Sequence, residues 1–183
     1  MNRLFLDMDG TLTRFHDEVQ YLERMWEKDF FRNLKPFQNM IDTVKLYMTQ
    51  HPDTEVFILS AAIEGNPPYC CKEKQQWIDE HLPEVDKMHR IFTKVGVPKS
   101  SYISGGVDSS NYLIDDYNVN LHEWLNFGGK SIKCVNNINH KGLIGELWTG
   151  DLIRNTDTPD VIAEQISAII AAAPARNQSS RRR

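Results

Sequence analysis

The opening of the chain constrains the fold most. Residues 3–8 (RLFLDM) are a short apolar run, and they lead directly into Asp7, Asp9 and Gly10. A run this short and this apolar reads as a strand buried on both faces. A buried strand that ends in two carboxylates and a glycine needs a sheet edge where those carboxylates can meet a ligand. In a doubly wound α/β sheet that place is the carboxyl end of the central strands.

The rest of the pattern suits such a sheet. Strands are expected at residues 55–60 (EVFILS), 89–93, 112–114 and 131–135. Helices are expected at 17–33, 36–50, 71–81 and 159–172. In the first, Leu22, Met25, Trp26, Asp29 and Phe30 fall on neighbouring faces. In the second, Pro36 suits a first helical position, and Phe37, Met40, Ile41, Val44 and Met48 form an apolar stripe. Asn66-Pro67-Pro68 marks a loop, and Thr158 is a suitable N-cap for the last helix. Strands and helices that alternate at short spacing predict an α/β fold, a doubly wound parallel sheet with helices on both faces.

Length and charge narrow the function. A chain of 183 residues fits one domain, expected over residues 1–173, with a polar, disordered tail at 174–183. The net charge of −4 supplies no general attraction to nucleic acid or to anionic membrane. Cys70, Cys71 and Cys134 form neither a disulfide framework nor a zinc spacing, and the six histidines (His16, His51, His81, His89, His122 and His140) show no metal-ligand spacing. The N-terminus turns acidic too soon for a signal peptide, and no stretch approaches the ~20 apolar residues of a membrane span. A reducing, cytoplasmic location is expected.

Polar residues end four of the expected elements: Asp7 with Asp9, Ser60, the Lys72/Lys74 region, and Asp115 with Asp116. Gathered at one sheet edge they offer carboxylates for a metal, a hydroxyl donor and an ammonium, the groups that hold a phosphoryl group beside a divalent cation. Asp7-Met8-Asp9-Gly10-Thr11-Leu12, followed by Ser60, Lys74 and Asp115-Asp116 in that order, resembles the four motifs of the haloacid dehalogenase superfamily. Within it, residues 52–60 (PDTEVFILS), 69–82 (YCCKEKQQWIDEHL) and 113–116 (LIDD) are similar to the 5′(3′)-deoxyribonucleotidases. The resemblance spans residues 1–150 outside 13–35.

The resemblance implies a Mg²⁺-dependent phosphomonoesterase with a Rossmann-like core. Asp7 would be the nucleophile and form an aspartyl-phosphate. Asp9 would protonate the leaving oxygen and then activate water. Ser60, the Ala61 backbone and Lys74 would bind the phosphoryl oxygens, and Asp7, Asp9 (through its carbonyl), Asp115 and Asp116 would hold the metal. Which of Asp115 and Asp116 is the direct ligand stays open. The implied substrate is a small phosphate ester, a (deoxy)nucleoside monophosphate, with nucleic acid and membrane not expected as partners.

The chain departs from the family in three places. About 50 residues separate Asp9 from Ser60, so the helical cap is reduced to residues 13–35. Tyr117 stands where a basic residue is common, and Ala61 where a second hydroxyl is common. A small cap predicts low base selectivity, with one helix placing Trp26 and Phe30 over the site; equally, Trp26, Phe30 and Phe31 at helical spacing are core residues. Two other functions fit the same motifs: a phosphate- or nucleotide-binding regulatory module, and a 3′-phosphatase acting on nucleic-acid ends. A response-regulator receiver is disfavoured, because there the lysine follows the phosphorylated aspartate and the hydroxyl, whereas here it precedes the second acidic pair.

Overall fold

The computed structural model describes residues 1–65, 68–136 and 148–172. The expected tail at 174–183, Asn66 and Pro67 of the proline loop, and His140 lie outside these residues. Six described strands, β1 (Asn2–Leu6), β2 (Thr54–Ala62), β3 (Arg90–Lys94), β4 (Asn111–Asp115), β5 (Lys130–Val135) and β6 (Leu152–Arg154), form one sheet in the order 3-2-1-4-5-6. Every pairing is parallel. This is the doubly wound α/β sheet that the alternation predicts.

Residue periodicity explains the two faces, since successive strand side chains point to opposite sides. Leu4 and Leu6 join Val56, Ile58, Tyr112, Ile114, Ile132 and Cys134 beneath α2 (Gln38–Gln50), α3 (Tyr69–His81) and α5 (Pro159–Ala172). Phe5 turns the other way. It stacks on Phe57 at 4.9 Å and meets the Trp124 edge at 5.1 Å, under α4 (Asn118–Asn126). Trp124 is therefore core, and α4 and β6 are elements that the sequence pattern does not reveal.

The strand order positions the site. β1 lies between β2 and β4, with Leu6 level with Ile58 on one side and Ile114 on the other. Asp7 and Asp115 each follow one residue on, and Ser60 two residues beyond Ile58. The chain leaves β1 for β2 on one side and reaches β4 on the other, and at that reversal the strand ends open into a crevice.

Residues 17–33 do not form the expected helix. Only one turn, α1 (Tyr21–Arg24), is helical, flanked by a 3₁₀ turn at Phe15–Asp17 and by turns. Gln20 and Asp29 both take positive φ, which a continuous helix cannot contain. The residues that pack are Phe15, Phe30, Phe31, Leu34 and Cys70, while Leu22 and Trp26 of the expected stripe are 58% and 53% exposed. Glu73 and Trp77 of α3 shape the segment. The Glu73 carboxylate accepts the Asp29 and Phe31 N–H groups at 2.6 and 3.1 Å, and the Trp77 indole donates to the Leu34 carbonyl at 2.7 Å. A buried carboxylate that accepts two backbone donors outweighs the weak helical preference of the intervening sequence.

Candidate active site

The loop after β1 wraps around a single carbonyl. Met8 O accepts the N–H groups of Thr11, Leu12 and Thr13 at 3.3, 2.9 and 2.9 Å. Gly10 makes the turn at φ +86°, and a Cβ there would sit 2.4 Å from Asp116 Oδ2. The loop therefore requires glycine at this position for two reasons, backbone conformation and contact with the second acidic pair.

Two buried lysines draw the predicted residues together. Lys74, fully buried on α3, donates to Asp9 Oδ2 at 2.5 Å, Ser60 Oγ at 2.9 Å and the Ala61 carbonyl at 2.6 Å. Lys99 bridges Asp7 Oδ1 at 2.6 Å and Asp115 Oδ2 at 2.7 Å. Asp7, Asp9, Ser60, Ala61, Lys74 and Asp115 thus share one crevice, and Gly10 brings Asp116 to it. Lys72 is exposed on the same helix.

The two aspartates of the first motif have different environments. Burial raises the Asp7 pKa, the Lys99 ammonium opposes that rise, and the nearby Asp9 carboxylate adds to it. The Asp9 carboxylate is turned to Lys74, and its Oδ1 is buried with no hydrogen-bond partner among the described residues. Asp115 is also raised, first by burial and then by Asp7, against Lys99. Burial would lower Lys99, yet Asp115 and Asp7 together hold it above the ordinary lysine value, so it stays an ammonium.

Oxygens of Asp7, Asp115 and Asp116 lie within 4.8 Å of one another. At that separation each pair of ionised carboxylates repels by roughly 3–4 kcal/mol at an effective dielectric near 20. Lys99 compensates part of this, and Lys133, which donates to the Asp116 carbonyl and to Asn118 Oδ1 at 2.6 Å, adds positive charge behind the pair. A hard, oxygen-only donor set with a residual negative charge fits Mg²⁺. Asp115 is heavily engaged by protein: Oδ1 accepts the Tyr117 N–H, and Oδ2 accepts Asn120 as well as Lys99. Asp116 Oδ2 accepts from Asn136 at 2.7 Å.

Comparison with known proteins gives the family. The family model described as 5′ nucleotidase, deoxy (Pyrimidine), cytosolic type C protein matches residues 14–144. The chain belongs to this family. The matched span starts after Asp7 and Asp9, runs through 14–35, which the motif resemblance omits, and includes Ser60, Lys74, Lys99 and the Asp115-Asp116 pair. Similar solved structures include a haloacid dehalogenase-like family hydrolase from Xanthomonas campestris, with TM-score 0.63 and 11% identity, covering 94% of this chain and 93% of that one. A D,D-heptose 1,7-bisphosphate phosphatase from Burkholderia thailandensis has TM-score 0.59 and 11% identity over 92% of this chain and 99% of its own. At such identities these two likenesses speak for the fold. No curated protein matches the sequence significantly. The nucleotidase family and the haloacid dehalogenase fold bear out the resemblance read from the motifs, and the chain is a nucleotidase-like phosphatase.

Sequence reasoning did not single out Lys99, Lys133 or Asn136. Several lysines lie between Ser60 and Asp115, so order along the chain does not select among them, and Lys99 sits in a turn-rich stretch without periodicity. Lys133 did carry a signal, since a lysine inside an otherwise apolar strand (SIKCV) is seldom buried without a partner.

Lys74→Ala is expected to lower kcat by roughly 2–4 kcal/mol of lost transition-state contact, whereas Lys72→Ala changes it little. Steady-state kinetics on the pair checks this. Equal effects would mean that the Lys74 contacts to Asp9 and Ser60 have no part in turnover.

Proposed function

We propose that the chain is a Mg²⁺-dependent phosphomonoesterase that works through an aspartyl-phosphate on Asp7, with (deoxy)nucleoside monophosphates as substrates and the cytosol as its location. The observation that carries this reading is the pair of lysine-centred clusters, one holding Asp7 beside Asp115 and the other holding Asp9 beside Ser60. No helix among the described residues is long and apolar enough to cross a membrane.

In this reading Asp7 attacks phosphorus, and the bond from phosphorus to the ester oxygen breaks. Asp9 gives its proton to the departing oxygen. Water then attacks the aspartyl-phosphate, its proton passes to Asp9, and phosphate leaves with Asp7 restored. Ser60 Oγ accepts from Lys74, which leaves the hydroxyl hydrogen for a phosphoryl oxygen. Lys74 and Lys99 supply fixed positive charge where negative charge accumulates. Asp7, the Asp9 carbonyl, Asp115 and Asp116 would hold Mg²⁺, which masks phosphoryl charge when bound. One of Asp115 and Asp116 would be the direct ligand and the other its support; Asp115 accepts from Lys99, Tyr117 and Asn120, which fix its orientation. No cysteine competes as nucleophile near Asp9: burial pushes the Cys70 thiol up to about 11.

A screen over nucleoside monophosphates, sugar phosphates and phosphorylated oligonucleotides tests this reading. Activity on the first class, lost in excess chelator, is expected. Binding without turnover would favour a regulatory module, and preference for oligonucleotide ends would favour a 3′-phosphatase. Mg²⁺ is also expected to raise the melting temperature, by the equivalent of about 2.7 kcal/mol at a hundredfold excess over its Kd. No shift in a thermal melt would argue against the metal site.

Asp9→Asn is expected to slow phosphorylation by a nucleotide far more than by nitrophenyl phosphate, whose leaving group departs without a proton. Single-turnover rates on the two substrates decide it, and equal losses would make Asp9 structural.

A further inference from the structure

We propose that the protein carries a second oxyanion site, apart from the crevice that takes the transferred phosphoryl group, in a groove where the loop after β1 meets the starts of α2 and α5. Arg14, Asn155 and the first N–H groups of α2 hold the anion there. The site goes beyond the phosphomonoesterase reading and stands on geometry which that reading does not use.

The groove has a volume of about 330 Å³, within the ~300–1,000 Å³ typical of small-molecule sites. His16 and Asn136 form its wall toward the catalytic crevice. His16 Nδ1 lies 3.9 Å from Asp116 Oδ2, and Asn136 donates to the same oxygen at 2.7 Å. None of Asp7, Asp9, Ser60, Lys74 and Lys99 is among the described lining residues.

Two helix starts meet in the groove. Asn39, in the first turn of α2, donates its Nδ2 to the Asp157 carbonyl at 3.0 Å, just before α5. Phe37 occupies the N-cap of α2 and offers no side-chain cap. The Gln38 and Asn39 N–H groups have no acceptor among the described residues. Uncapped N–H groups at the positive end of a 13-residue helix favour an anion.

Asn155 is the independent sign of a ligand. It is 7% exposed and lines the groove, yet its side-chain amide makes no hydrogen bond among the described residues. Its amide atoms keep surface in the groove, so a ligand can reach them. A polar side chain so deeply placed is ordinarily satisfied.

Arg14 supplies charge. Its guanidinium lies over the Phe37 ring at 5.0 Å and gives one N–H of its five to Asp17 at 3.1 Å. That pair is about half exposed on both sides, and such pairs are weak, so an incoming oxyanion competes against a weak partner. Asp17 is the one carboxylate among the described lining residues, and Arg14 balances it. The remaining groups set the sign. The free α2 N–H groups, the Asn155 amide and the Thr156 hydroxyl are donors suited to phosphate or carboxylate oxygens. A free anion or a second acidic group on the substrate would bring the same chemistry.

NMR titration of the Mg²⁺-free protein with inorganic phosphate tests the site. Saturable shifts are expected at the backbone amides of Gln38 and Asn39 and at the side-chain amide of Asn155, separate in midpoint from shifts at Ser60 and Ala61 in the catalytic crevice. Arg14→Met and Asn155→Leu are each expected to weaken groove binding roughly tenfold, the scale of one hydrogen bond to a charged group, and to leave the Ser60 and Ala61 midpoints unchanged. Arg14 is exposed, so its variant reads the site even if Asn155→Leu fails to fold. A graded series of alkanediol bisphosphates, compared with the matching monophosphates, identifies the source. A preference for the bisphosphate that is lost in Arg14→Met assigns the anion to the substrate, and no preference assigns it to a free ion. Absence of saturable shifts at Gln38, Asn39 and Asn155, or unchanged binding in Arg14→Met, would overturn the site. Groove binding in a protein that hydrolyses no ester would uphold the site and sink the phosphatase reading.

Discussion

Asp7→Asn is expected to reduce hydrolysis of nitrophenyl phosphate and of a nucleoside monophosphate alike, by on the order of a thousandfold or more, with the fold intact. The loss is common to both substrates because, in the proposed mechanism, the first chemical step needs this carboxylate whatever the leaving group. Asn conserves shape and hydrogen-bonding capacity but cannot form the acyl phosphate. The sign of the stability change follows from the electrostatics. Burial raises the Asp7 pKa, so above that value its ionised form opposes folding. Asparagine removes that opposition, and Lys99 keeps Asp115 as a partner. Turnover and thermal melts on one preparation check both halves. Retained activity would end the aspartyl-phosphate mechanism, and a large fall in melting temperature would show that Asp7 is needed for folding.

Lys99→Met is expected to damage both catalysis and stability. Turnover should fall by roughly 10²–10³-fold, the scale of a lost preorganised charge. Removing one member of a buried ionic cluster leaves the others uncompensated, at about 3–5 kcal/mol. For a chain of this size each kcal/mol shifts the midpoint by roughly 2–4 °C. Because Lys99 is held above its ordinary pKa, its contribution is fully present below the unfolded-state value, including neutral pH, and is lost only as pH rises through the folded-state value. In the variant, Asp7 and Asp115 face each other without an ammonium and their pKa values rise further. The variant should therefore regain stability as pH falls and those carboxylates protonate, and Mg²⁺ should restore part of it. Melts at pH 5 and pH 7.5, with and without Mg²⁺, read this directly. A variant with wild-type turnover and wild-type melting would show that the two contacts at 2.6 and 2.7 Å contribute nothing.

The two lysines divide the work between the motifs. Lys74 joins Asp9 with Ser60, and Lys99 joins Asp7 with Asp115. Glu73, adjacent to Lys74, holds the segment after α1 through Asp29 and Phe31. One turn of α3 therefore positions both the segment at Asp29–Phe31 and the Asp9 carboxylate, which explains a Glu-Lys pair buried on a helix whose other charged residues are mostly exposed.

Residues 3–8, 55–60, 112–114 and 131–135 were legible as strands because a strand covered on both faces must be apolar throughout, a signal that survives without tertiary information. The motif loop was equally legible, since positive φ at residue 10 and close approach to Asp116 admit glycine alone. Ser60, Lys74, Asp115 and Asp116 could be selected because each ends or follows a recognisable element in a characteristic order. Helix 17–33 was misread for the converse reason. Its apolar residues have near-helical spacing, but what they pack against is set by Glu73 and Trp77, more than 40 residues away. Lys99 reaches Asp7 across 92 residues, from a 3₁₀ turn that no local pattern announces.

The sequence by itself determined the fold class, the strand ends where chemistry is possible and the carboxylates at those ends, because strand burial and turn conformation are local demands on residue type. Only the tertiary structure decided which lysine neutralises which carboxylate, and whether the segment after β1 is a helix or a strapped loop. Those outcomes depend on distances between residues far apart in the chain, and a buried charge is stable only where the fold brings its partner within about 3 Å.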